Sequence, residues 1–254
     1  IPEHDKTASP LRTAIIGMGG FAASHHRAVR TLEQEGRCRL IAACDPKPEA
    51  FEKVMTDLDF SGRQVKFFTD YRELLNQCAD QLDVITLPTP IPLHAPMHRA
   101  AVGKGVPVFL EKPPTLNYRE LEEMIDIEQK ARRMTLVAFA NIVEPERLRL
   151  KERLVRGEFG ALKKAVFYGC WPRGKKYFLR SNWAGRLQMD GRLVLDSCIS
   201  NAMSHSVHNL LFWAGLKDVL SWEEVDFVEA ELYRANPIES MDTVFLKAQT
   251  RQNV

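Results

Sequence analysis

Short apolar runs alternate with amphipathic stretches over the first 139 residues. The runs 11–16, 39–44, 65–68, 83–87, 106–110 and 135–139 are rich in β-branched, aliphatic or aromatic residues. Such runs predict strands buried on both faces of a parallel sheet, where strict alternation is not expected. Between them the pattern turns helical: from residue 22 through Ala28, Val29 and Leu32, then over 49–58, 70–77, 94–105 and 117–132. The third of these helices opens at a Thr69-Asp70 cap. Strands and helices in this alternation predict a sheet covered on both sides.

The pattern changes after residue 143. A helix is expected over 146–156, stopped by Gly157 and Gly160, and 162–168 alternates like a strand. Residues 171–192 read as a long polar and aromatic loop, a length that usually signals function or disorder. Its tryptophans and guanidinium groups suit a polyhydroxylated ligand, with Trp183 a candidate substrate contact. A helix over 200–213 would carry Asn201 and His205 at i, i+4 on one face. Two alternating runs, 224–233 and 242–249, predict strands of an antiparallel sheet. The fold class is therefore α/β, with a parallel-sheet domain over 1–143 followed over 144–254 by a second domain carrying an antiparallel sheet.

Composition narrows the function. Lys and Arg number 35 against 33 Asp and Glu, and no sustained basic run is present, so nucleic acid is not an expected partner. The five cysteines are scattered and never form C-x-x-C, which favours reduced thiols and a cytoplasmic setting over disulfides or zinc. No apolar run approaches a membrane span, and no metal site is expected from the histidine spacings. His98 is placed on the solvated face of its helix.

Three stretches carry chemistry. The first strand runs into Gly17-Met18-Gly19-Gly20-Phe21-Ala22, which matches G-x-G-x-x-G/A. Gly17 permits the tight turn, Gly19 lets the backbone approach a pyrophosphate, and Ala22 allows close packing of helix on strand. The helix N-terminus then faces the anion. Asp45, at the end of the second strand, is the expected partner of an adenosine ribose. The run 106–110 ends in Glu111-Lys112-Pro113-Pro114, where the prolines close the strand and leave Lys112 at its carboxyl end, the ligand side of an open α/β sheet.

With Thr89-Pro90-Ile91-Pro92-Leu93-His94, and with Asn201 and His205 followed by Gly215, these blocks resemble the glucose–fructose oxidoreductase, inositol dehydrogenase and rhizopine-catabolism family, Gfo/Idh/MocA. The resemblance implies a Rossmann-type first domain, an α+β second domain built on an open antiparallel sheet, NAD or NADP, of which Asp45 favours NAD, and a sugar, cyclitol or related polyol lying between the domains. It implies nucleotide contacts from Gly17, Met18, Gly19, Gly20, Phe21, Ala22, Asp45, Thr89, Pro90, His94, Glu111 and Lys112. It implies catalysis by Lys112, His205 and Asn201, with Lys112, Asn201 and His205 on substrate beside Trp183 of the loop. Asn201 stands where many members carry aspartate, and His208 likewise. Asp196 offers a carboxylate nearby or serves as a helix start. The alternatives are redox-neutral, NAD-dependent glycoside cleavage and a nucleotide-binding sugar sensor without turnover. Members usually continue about a hundred residues further, so the chain reads as truncated, with homo-oligomerisation through the second-domain sheet expected of the full-length form.

Overall fold

The computed structural model describes residues 9–189, 191–252 and 254. The polar leader over residues 1–8 lies outside the described residues. Two compact units are present, one ending at Ala138 and one running Phe139–Val254. No helix among the described residues is long and apolar enough to cross a membrane.

The first unit is a six-stranded parallel sheet: β1 (Leu11–Ile16), β2 (Cys38–Cys44), β3 (Lys66–Phe68), β4 (Val84–Leu87), β5 (Val108–Leu110) and β6 (Thr135–Val137). Their spatial order is β3-β2-β1-β4-β5-β6, so the order reverses between β1 and β4. The helices are α1 (Ala22–Gln34), α2 (Glu52–Asp57), α3 (Tyr71–Cys78), α4 (His94–Gly103) and α5 (Tyr118–Ala131). Local chemistry sets their limits. Asp70 caps α3 by accepting from Arg72 N, and Asn117 caps α5 by accepting from Arg119 N. Arg132 then ends α5 in the left-handed region.

One apolar cluster joins Ala14, Ile85, Leu87, Leu110 and Met124, and a second packs Ile15, Met18, Leu40 and Phe60. The two clusters draw on neighbouring positions of β1, as expected for strands whose successive side chains point to opposite covered faces. His98 is buried, not solvated: its Nε2 lies 2.8 Å from Thr135 Oγ1. α5 and β6 cover α4 on that side, through Glu128 and Thr135.

The second unit contains α6 (Pro145–Val155), the short α7 (Lys175–Phe178), α8 (Ser204–Ala214) and two small antiparallel ladders. These are β7 (Gln188–Met189) with β8 (Arg192–Leu193), and β9 (Val225–Tyr233) with β10 (Thr243–Thr250). The β9–β10 hairpin matches the expected alternating runs. Residues 162–168 form no strand, because no neighbouring strand offers them a ladder among the described residues. The helix expected over 200–213 is also interrupted. A π-helical turn, Cys198–Ala202, comes first, and Met203 separates it from α8. Ser197 and Ser200 build a capping box that starts this turn, so Asn201 and His205 lie on successive segments and not on one face of a single helix.

Lys151, on α6, is fully buried. Its Nζ donates to the carbonyls of Phe212, Gly215 and Ser221 and lies 4.4 Å from the Phe212 ring centroid. The ammonium thus satisfies the open C-terminal carbonyls of α8 and the loop after it.

Candidate active site

The strand order places the reversal point between β1 and β4, where open α/β sheets bind ligands at their carboxyl ends. The loops after β1, β2, β4 and β5 are tied together there. Gly17 has φ +113°, a conformation that only glycine adopts without strain. A Cβ at that position would lie 3.5 Å from Ala22 Cβ and 3.7 Å from the Pro88 carbonyl oxygen and from Thr89 Cγ2. Gly19 lies under Phe51, whose ring would be 3.1 Å from an added Cβ. The glycine loop is therefore closely packed on its protein side.

Asp45 fixes the loop from β2. Its Oδ2 accepts from Met18 N at 3.0 Å and its Oδ1 accepts from Lys47 N at 3.0 Å. An ionised carboxylate has about four lone-pair sites, so both oxygens keep capacity for hydroxyl donors. From behind, buried His26 on α1 reaches the Gly17 carbonyl oxygen at 3.0 Å through Nε2. Burial holds the His26 imidazole below its ordinary range, against that hydrogen bond.

The turn after β5 is anchored twice. Glu111 Oε1 lies 3.0 Å from His25 Nε2, while Glu111 Oε2 accepts from Lys112 N at 3.2 Å. The His25 ring packs at 5.3 Å from Phe21 and 5.9 Å from Phe109, which holds it toward Glu111. The Lys112–Pro113 peptide is cis. His94 makes the second anchor: Nδ1 lies 2.9 Å from the Pro113 carbonyl oxygen and Nε2 lies 2.8 Å from that of Thr89. Burial lowers the His94 pKa, and the carbonyls of Pro113, Thr89 and Pro114 oppose it. His94 is thus the tie between the Thr89-Pro90 loop and the Lys112 turn. Lys112 itself is half-buried at the turn's tip.

The surroundings of the glycine loop fit a dinucleotide. No side chain caps the start of α1, and no acidic residue sits in its first turn, so the helix dipole is open to an anion. Beside Gly17, Thr89 Oγ1 is buried with no hydrogen-bond partner among the described residues. A buried hydroxyl of this kind suits a ligand donor or acceptor.

In the second unit, His205 and His208 share the ring of Phe139. His205 meets it edge-on at 5.7 Å, and His208 stacks on it at 4.0 Å with 6° between planes. Burial pulls the His208 pKa down to about 4, with the His205 charge acting in the same direction. His208 is therefore neutral at working pH.

Asn201 is positioned by Asp196, which is 4% exposed. Asp196 Oδ1 accepts from Asn201 Nδ2 and Oδ2 accepts from Gly185 N, each at 2.8 Å. Leu195, immediately before it, has φ +46°, a strained conformation for this side chain. Its carbonyl accepts from Ser200 Oγ at 2.6 Å. Asp196 is thus neither the helix cap, which is Ser197, nor a solvent-facing acid; it joins the loop bearing Trp183 to the turn bearing Asn201. His26, Phe51 and the anchoring use of Asp196 had no distinctive spacing in the sequence.

Uncapped helix, glycine cradle and strand-end carboxylate define a dinucleotide-binding protein of the doubly wound type. Residues 11–139 match a family model described as an oxidoreductase family with an NAD-binding Rossmann fold. The chain belongs to that family, Gfo/Idh/MocA. It is similar to inositol 2-dehydrogenase 4 of Saccharopolyspora erythraea, with 31% identity over 151 residues, 59% of this chain and 42% of that one. Among solved structures it resembles the WlbA dehydrogenase of Chromobacterium violaceum in complex with NADH and UDP-GlcNAcA. The TM-score is 0.75 and the identity 25%, covering 97% of this chain and 66% of that one. The scyllo-inositol dehydrogenase of Lactobacillus casei with NAD(H) and scyllo-inositol shares the fold at TM-score 0.72 and 17% identity, covering 96% of this chain and 67% of that one. The chain matches less than half the length of the curated relatives.

Proposed function

We propose that the chain is an NAD(P)-dependent dehydrogenase acting on a carbinol carbon of a sugar, cyclitol or related polyol. The observation that carries this reading is the convergence of Gly17–Ala22, Asp45, Thr89 and the Lys112 turn at the carboxyl edge of one parallel sheet. The names of the relatives support the substrate class, since several are inositol dehydrogenases and two related structures hold scyllo-inositol or UDP-GlcNAcA.

In this reading the main-chain N–H groups of Gly19, Gly20 and Phe21 hold the pyrophosphate, while Gly17, Met18 and Ala22, whose N–H groups are donated to Cys44 O, Asp45 Oδ2 and Gly19 O, shape the loop around it. Asp45 accepts from the adenosine ribose, and Thr89, Pro90, His94 and Glu111 shape the nicotinamide end. The unit through Ala138 carries the nucleotide, and the unit from Phe139 contributes substrate contacts. When bound, the nicotinamide supplies the hydride acceptor or donor. In the oxidising direction His205 takes the hydroxyl proton, its imidazole being suited to proton transfer near neutral pH. Lys112 Nζ donates to the same oxygen and favours its anionic form. The Asn201 amide orients a hydroxyl, and Trp183 offers an apolar face to the ring of the substrate.

The test is a screen of sugars and cyclitols with NAD and NADP, followed by Lys112→Ala and His205→Ala on whichever substrate turns over. Each variant should lose about 10²–10⁴-fold in turnover while nucleotide binding stays nearly intact. Wild-type rates in both variants would remove these residues from the chemistry. Asp45 also favours the free ribose diol over a 2′-phosphate, so NADH should bind more tightly than NADPH. The reverse order would overturn its assignment.

A further inference from the structure

The loop over 171–192 carries Arg173, Lys175, Lys176, Arg180, Arg186 and Arg192 against one acid, Asp190. On a chain whose formal charge is only +2, this is a local concentration of positive charge. Two of these cations stack on aromatic rings. The Arg173 guanidinium lies 4.7 Å from the centroid of the Tyr177 ring and 5.8 Å from that of Trp171. The Arg180 guanidinium lies 3.7 Å from the Tyr177 centroid and 4.9 Å from that of Trp183. One tyrosine ring therefore holds two like charges in place. A solvated basic loop would let them diverge.

Their hydrogen-bonding capacity is little used. Arg173 donates from Nη1 to the Pro172 carbonyl at 3.3 Å, and its buried Nε has no acceptor among the described residues. Ser181 Oγ, on the same loop, is likewise buried without a partner among them. Arg180 donates from Nη1 to the Tyr177 carbonyl at 2.8 Å, but its Nη2 is 3.8 Å from Asp196 Oδ2, beyond hydrogen-bonding distance. Both Asp196 oxygens already accept from Asn201 and Gly185. Asp196 therefore fixes the loop to Asn201 and forms an ion pair with Arg180 that leaves the Nη2 N–H groups of Arg180 without a hydrogen bond to it.

We infer that Arg173 and Arg180 form a subsite for an anionic group carried by the substrate, a carboxylate or a phosphate ester on a sugar or cyclitol. Planar forks with open N–H groups suit both anions, which share two or three acceptor oxygens in one plane or pyramid. The flanking Trp171 and Trp183 rings supply apolar faces for the attached ring. This assignment rests on the polyol-dehydrogenase reading for the identity of the scaffold, and narrows that reading to charged substrates.

The experiment is calorimetric titration of the full chain with D-glucuronate, D-glucose 6-phosphate and D-glucose at constant ionic strength, with and without saturating NADH. At least one charged sugar should bind ten-fold or more tightly than glucose, and that ratio should fall as KCl is raised. Preference for glucuronate identifies a carboxylate, and preference for the 6-phosphate identifies a phosphate ester. In Arg173→Gln and Arg180→Gln the ratio should approach one, whereas Lys176→Gln should retain it. Equal affinities for the three sugars in the unmodified protein overturn the subsite, as does a ratio that survives both arginine substitutions. Failure to bind NADH would instead count against the dehydrogenase reading, because the charged-to-neutral ratio is also measured without nucleotide.

Discussion

Asp196 shows how one buried carboxylate organises several site residues. It receives the side chain of Asn201, the main chain of Gly185 and, more distantly, Arg180, and it follows a residue held at positive φ. Asp196→Ala should leave the Asn201 and Gly185 donors unpaired in a buried setting and destabilise the unit by roughly 2–4 kcal/mol. Urea unfolding measures this, and an unchanged midpoint would show that water replaces the carboxylate freely. His208 makes a separate prediction about acid. Its folded pKa of about 4 lies below the ordinary histidine value of 6.5, so the unfolded chain takes up a proton that the folded chain resists. Stability is therefore full above pH 6.5 and falls as the pH drops through that window, by roughly 1–3 kcal/mol for this one side chain. His208→Phe keeps a ring on Phe139 and cannot protonate, so the loss of stability between pH 7 and pH 5 should be smaller in this variant. An identical acid limb in both proteins would refute the assignment.

At the scale of elements, Lys151 decides how α6 meets the end of α8. Its ammonium matches three carbonyls with three donors, although burial lowers its pKa to about 8 against the pull of Asp218 and Glu223. Lys151→Met keeps most of the bulk but orphans the carbonyls, and should cost roughly 2–4 kcal/mol in urea unfolding. A neutral effect would mean that the carbonyls find water. Nothing in the sequence announces this lysine, because it sits in the charged helix Pro145–Val155 and its acceptors lie more than sixty residues away. The six parallel strands were legible for the opposite reason. Burial on both faces makes each a short apolar run, and glycine, proline and aspartate mark its carboxyl end. The run over 162–168 failed because alternation describes a surface and not a partner. The helix expected over 200–213 starts instead at Ser204, because Ser197 and Ser200 form a local hydrogen-bonded turn before it that periodicity does not register. The placement of Gly17, Asp45, Thr89 and Lys112 just beyond the ends of β1, β2, β4 and β5 was legible because each follows an apolar run. Their anchors His26, Phe51 and His94 act through tertiary contacts, which only the folded chain reveals.

At the scale of the whole molecule, the chain divides its chemistry between two units. The glycine loop, Asp45 and the Lys112 turn belong to the unit ending at Ala138, while the stacked arginines, Asp196 and Asn201 belong to Phe139–Val254. Each set is held by contacts within its own unit, so each should answer its own ligand. A nucleotide present at a hundred times its dissociation constant should stabilise the unit that binds it by about 2.7 kcal/mol. Amide hydrogen exchange can locate that stabilisation. With NADH, exchange should slow over residues 17–22, 45–47 and 111–115, where main-chain groups and their anchors meet the nucleotide. With the preferred charged sugar alone, exchange should slow over 173–185, where Tyr177 and Asp196 hold the arginines. Slowing of 17–22 by the sugar alone, with no change over 173–185, would place the anion on the helix terminus of α1 and not on the arginines, since that open N-terminus is the competing anion site in the chain.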